Sequence, residues 1–137
     1  MASYERCNHK KFKMYYHIIF STKYRKKLLG PIVDDIKISM KRVEVMQDKW
    51  SIEAMKIDAT KCDHIHFLIR ATPTCQISEI IHKLKQISTY DMWQMHNQYL
   101  SKFYWSGKHY LWTKGYFCVT IGDISEKTLQ AYIENQS

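Results

Sequence analysis

No run of apolar residues in this chain is long enough to cross a bilayer, and the first residues lack the pattern of a secretory signal. Both absences point to a cytoplasmic protein. Glycine and proline are scarce, at 4 and 2, and no low-complexity tract or linker interrupts the 137 residues. That leaves one domain over 1–137, large enough for a real core, with residues 1–12 expected to be loose. The cysteines Cys7, Cys62, Cys75 and Cys118 form no C-x-x-C pair. Reduced thiols fit this better than a disulfide framework or a zinc knuckle. Acidic residues are in deficit, 13 against 21 lysines and arginines, for a net charge of +8. Such a surplus attracts polyanions. With 10 tyrosines, 5 phenylalanines and 4 tryptophans, the mixture suits nucleic acid, where cations meet phosphates and rings stack on unpaired bases. A basic protein with an aromatic core accounts for the same composition equally well.

The stretch Asp63-His64-Ile65-His66-Phe67-Leu68-Ile69-Arg70 stands out. Its apolar residues favour a strand, on which residues i and i+2 share a face. His64 and His66 then stand side by side while Ile65 and Phe67 turn into a core. Two neutral imidazoles make half of a divalent metal site. Ordinary polar residues on an open sheet face are the competing explanation.

Around this stretch, residues 13–22 read as a first strand, followed at once by the basic cluster Lys23-Tyr24-Arg25-Lys26-Lys27. A ring among cations at a strand end is a plausible phosphate-contact loop, or a solvated charge run. Pro31 opens a helix predicted over about 31–48, on the spacing of Ile32, Val33, Ile36, Met40 and Val43. Residues 50–59 read as a second strand with imperfect alternation, forming a hairpin with the histidine strand. A second helix is expected over about 76–97, its stripe running Ile77, Ile80, Ile81, Leu84, Ile87 and then Asp91. Residues 98–114 are aromatic and irregular, and packing or dimer contacts are favoured there over base stacking. Residues 116–121 read as a fourth strand, and a last helix is expected to run to about 136. The plan is α+β: a ferredoxin-like or RRM-like βαββαβ antiparallel sheet with an added C-terminal helix. His9, His82, His96 and His109 have no spaced partner and read as surface residues. His17 falls on the first strand, at the core edge or on the sheet face. Asp63 either orients a histidine or closes the turn before it.

On the last predicted helix, Tyr132 and Gln136 are four residues apart and share a face. Tyrosine is a competent nucleophile at phosphorus, and a nearby metal would favour its phenolate. Gln136 offers a neutral oxygen as a third ligand. By spacing alone, a half-exposed helix tyrosine explains Tyr132 better than a nucleophile does.

Several separated segments carry a resemblance. They are Tyr16-His17-Ile18-Ile19-Phe20 leading to Lys23-Tyr24-Arg25, Asp63 to Leu68, Leu111-Trp112 with Gly115-Tyr116-Phe117, and Tyr132-Ile133-Glu134-x-Gln136. In this order they resemble the single-tyrosine HUH transposases of the insertion-sequence 200/605 type, from about residue 13 to the end. The resemblance implies a metal-dependent transposase acting on single-stranded DNA with subterminal hairpins. His64, His66 and Gln136 would hold Mg²⁺ or Mn²⁺. Tyr132 would attack a DNA phosphate, leaving a 5′-phosphotyrosine link and a free 3′-hydroxyl. It implies a homodimer in which the tyrosine helix can complete the partner's site, and rejoining without ATP. Lys23, Tyr24, Arg25, Lys26 and Lys85 are the expected DNA contacts. The sequence departs from the family at Lys85-Gln86-Ile87-Ser88-Thr89-Tyr90, where a Lys-Gly-Arg-Ser-Ser-Arg-like segment is usual. The alternatives are a non-catalytic module binding single strands or hairpins, or an HUH nuclease acting on repeats or plasmid origins.

Overall fold

Strand-forming residues over Met14–Ser21 build β1 in the computed structural model of the chain, which describes residues 14–122. After it come α1 (Val33–Glu44), β2 (Trp50–Ile57), β3 (His64–Ala71), α2 (Ile77–Met95), a short α3 (Asn97–Leu100) and β4 (Phe117–Gly122). The expected βαββαβ order is present. Strands pair antiparallel in the order β2-β3-β1-β4, so the histidine strand lies inside the sheet. The predicted C-terminal helix, with Tyr132 and Gln136, lies outside the described residues, as do Cys7 and His9. Among the described residues no helix is long and apolar enough to cross a membrane.

Alternation decides which face the helices cover. Ile18 and Phe20 of β1 and Ile65, Phe67 and Ile69 of β3 are fully buried, in one cluster with Ile36 and Met40 of α1 and Ile81 and Leu84 of α2. Burying one such side chain contributes about 1.5–3 kcal/mol. A one-residue slip of β3 would expose its buried apolar residues and drive both histidines into the core. The same alternation therefore commits His64 and His66 to the opposite face, where Leu68 is also fully buried.

The imperfect pattern of the second strand has a specific origin. The β2–β3 register shifts between Ile52 and Ala54, a bulge at Glu53. It places Ile52, Met55 and Ile57 opposite Ile69, Phe67 and Ile65, and so keeps one apolar face despite the broken period. Asp91, the polar member of the α2 stripe, also has a reason to be there. It accepts hydrogen bonds from Ser39 Oγ (2.7 Å) and Arg42, tying α2 to α1. His96, expected at the surface without a partner, is half-buried at the end of α2 and bonds Asp35 through Nε2 at 2.7 Å. His109 stacks on Trp93, with ring centroids 4.2 Å apart.

Candidate active site

On the face away from the helices, β3 presents His64 and His66 with ring centroids 4.9 Å apart. Each has its Nδ1 engaged. His64 Nδ1 lies 2.8 Å from Asp63 Oδ1, and His66 Nδ1 lies 3.0 Å from His17 Nε2. With the proton on Nδ1, His64 donates to the carboxylate and His66 donates to His17. Both rings then keep the Nε2 lone pair for another partner, as in metal-binding histidines held by an outer hydrogen bond. Burial holds the imidazole of His66 below its ordinary pKa, and the neighbouring His64 and His17 push it the same way. Burial also lowers His17. For His66 the neutral form that a metal requires is therefore the favoured one. Among the described residues no set of three histidine, cysteine or carboxylate side chains converges as a metal site. The pair can supply two ligands, and Gln136, the expected third, is not among the residues described.

Asp63 is 5% exposed and serves two partners. Its Oδ2 accepts from Arg25 Nε at 3.0 Å while Oδ1 holds His64. Burial alone would raise its carboxyl pKa, but the hydrogen bonds from His64 and Arg25 outweigh it and keep Asp63 below the usual carboxylate range. Arg25 is thus anchored through Nε, with its side chain 58% exposed and its terminal N–H groups left for other acceptors. The turn that positions it is tight. Thr22 N–H donates to Asp63 O, Lys23 N–H to Leu111 O and Thr22 Oγ1 to Lys26 O. Tyr24 and Arg25 both take left-handed φ values of 62° and 52°. Lys23, Tyr24, Arg25 and Lys26 thereby stand together at the end of β1 beside the imidazole pair.

Lys85 is placed differently. Its Nζ donates to the carbonyls of Thr113 (2.8 Å), Lys114 (3.0 Å) and Gly115 (2.8 Å) and lies over the rings of Phe20 and Tyr116. All of an ammonium's donors are used. The expected contact with DNA would require these bonds to break. Nearby, Trp112 Nε1 donates to Ser88 Oγ at 2.9 Å, so this part of α2 holds the 112–115 segment against β1.

Spacing does not single out His17, because its partner comes from another strand. Its position opposite Leu68, diagonal to His66, follows only from the β1–β3 register. Lys56, which stands opposite His66 from β2 and is exposed, escapes sequence reasoning for the same reason.

Comparisons with known proteins bear on the family and the fold. The family described as "Transposase IS200 like" matches residues 10–136. The ISDra2 transposase TnpA of Deinococcus radiodurans is 29% identical over 126 residues, covering 91% of this chain and 85% of that protein. A crystal structure of a candidate transposase from Deinococcus radiodurans superposes with a TM-score of 0.66 at 30% identity, covering 91% of this chain and 92% of the other. A REP-associated tyrosine transposase bound to a REP hairpin shares the fold, with a TM-score of 0.60 at 13% identity over 90% of this chain and 64% of that one. The chain belongs to the IS200-like transposase family.

Proposed function

We propose that this protein cleaves single-stranded DNA at the ends of an insertion sequence and rejoins it through a 5′-phosphotyrosine intermediate. The observation that best supports this is the pair of imidazoles on β3, each with Nδ1 engaged and Nε2 left for a ligand, on a chain of transposase family. His64 and His66, with Gln136, would hold Mg²⁺ or Mn²⁺. A divalent ion there would supply Lewis-acid polarisation of the scissile phosphate.

Tyr132 is the assigned nucleophile. Its phenolic oxygen forms a bond to phosphorus as the bond to the 3′ oxygen breaks, and that oxygen leaves as a 3′-hydroxyl after taking a proton. Attack by a 3′-hydroxyl reverses the step and releases the tyrosine. The phosphotyrosine link retains the energy of the phosphodiester it replaces, so rejoining needs no ATP. Arg25, clamped through Nε by Asp63, turns its remaining donors to a DNA phosphate, with Lys23, Tyr24 and Lys26 beside it. Lys85 contributes by holding the 113–115 segment. The relative bound to a REP hairpin supports a subterminal hairpin as the form of DNA recognised. We assign a homodimer, with the tyrosine helix able to complete the site of the partner.

An adduct assay on denaturing gels tests the proposal. Oligonucleotides carrying the end hairpin, labelled on either side of the nick, are incubated with Mn²⁺ or Mg²⁺. The expected product is a covalent band retaining the label 3′ of the nick, lost in Tyr132→Phe and in His64→Ala or His66→Ala. Binding without adduct for either metal would show a non-catalytic hairpin-binding module instead. Adduct formation by Tyr132→Phe would remove the nucleophile assignment.

A further inference from the structure

Two aromatic side chains beside the basic turn are left in solvent. Tyr24 is 55% exposed and Trp105 is 58% exposed. Their rings are nearly parallel, 13° apart, with centroids 5.7 Å from each other. The rest of the aromatic segment behaves otherwise: Tyr104, Leu111 and Trp112 are buried in the core. Packing therefore accounts for most of the aromatic side chains of 98–114 but not for Trp105, nor for Tyr24 of the turn.

The pair is built and braced. Tyr110 meets Tyr24 edge-on at 6.2 Å, and Lys23 Nζ stands 5.3 Å from the Tyr24 centroid and 5.1 Å from that of Tyr110. The buried Tyr104 hydroxyl donates to Lys23 O at 2.9 Å and fixes the turn from below. Each ring adjoins a left-handed pair, Tyr24-Arg25 on one side and Ser106-Gly107 on the other, with φ values of 58° and 67° in the second. Left-handed backbone at tyrosine, arginine and serine is unfavourable and persists only where surroundings impose it. Here the two large rings stand in solvent, with Lys23 over that of Tyr24.

The chemistry of such a surface is narrow. Trp105, covered on one side by Tyr24 and otherwise in solvent, offers a ring surface to flat π systems, and the lysines and arginine of the same turn attract phosphates. A single strand of DNA carries both at the required alternation, whereas paired bases in a duplex already cover each other's faces. The neighbouring residue sets the location, because Arg25 is joined through Asp63 to His64. We infer that Trp105, backed by Tyr24, forms a stacking subsite for an unpaired base of single-stranded DNA, on the strand that also passes the imidazole pair. The inference rests on the proposed function and adds a base-binding position to it.

Fluorescence anisotropy with EDTA present tests it without cleavage. The probes are a short labelled oligothymidylate and an abasic sugar-phosphate oligomer of equal length, which keeps the charge and lacks the bases. The wild-type chain is expected to bind the oligothymidylate about tenfold more tightly. Trp105→Ala should remove that preference while leaving abasic affinity unchanged, and Trp105→Phe should restore most of it. Equal wild-type affinity for the two probes, a measurement that needs no variant, overturns the subsite and leaves strand cleavage standing. Failure to bind either probe also overturns the subsite. Dissociation of a dimer by Trp105→Ala, with base preference intact, would make the rings a subunit contact and also overturn the subsite.

Discussion

His17 Nε2 and His66 Nδ1 lie 3.0 Å apart, with their rings stacked at 5.2 Å and 20°. The bond joins β1 to β3 on the face away from the helices, and with His17 as acceptor it leaves Nε2 of a proposed metal ligand unprotonated. His17→Ala should weaken Mn²⁺ binding by about 10–100-fold, the usual cost of losing an outer hydrogen bond to a ligating imidazole. His17→Gln, which keeps an acceptor oxygen, should recover part of this. Calorimetric titration with Mn²⁺ measures both, and unchanged affinity in the alanine variant would detach His17 from the site.

Asp63→Asn separates two roles of that side chain. An amide has one acceptor oxygen and cannot serve Arg25 and His64 together. Unfolding in urea should show a loss of about 1–3 kcal/mol, as for a buried group left with a missing partner. Mn²⁺ affinity should fall about tenfold in the same variant. A loss of stability with Mn²⁺ affinity intact would mean that Asp63 only closes the turn before β3.

Lys85→Met keeps the aliphatic stem and removes the bonds to Thr113, Lys114 and Gly115. It should destabilise the fold by about 1–3 kcal/mol. The salt dependence of single-strand binding should not change, because the ammonium is already occupied. Arg25→Ala, in contrast, should lower the slope of log K against log salt by about 0.7 for each phosphate that the guanidinium neutralises. A lower slope in Lys85→Met would return this lysine to the DNA surface.

Much of the fold was legible because its periods are local. The apolar stripes of α1 and α2 and the alternation of β3 set their elements within a few residues of the observed bounds. The first helix starts later than expected, at Val33, because Gly30–Ile32 forms a separate 3-10 turn. The second gives way near His96 to the short α3. What the sequence could not show depends on pairing between strands. The Glu53 bulge, the His17–His66 bond and the position of Lys56 all follow from register. His64 and His66 were legible because two residues on one strand need no register to be neighbours. Tyr24 and Trp105 are 81 positions apart by their numbers, and only the fold shows that they meet in solvent.

The interior place of β3 bears on how the imidazole pair meets a ligand. With β1 on one side and β2 on the other, the strand has no free edge from which to fray. Spreading His64 from His66 would mean breaking two ladders at once, so local openings should leave the pair intact and its amides should exchange with solvent water only as the whole domain unfolds. The conformational entropy of holding the two rings is then lost on folding, before any ion or DNA arrives. Binding starts from a face that is already set.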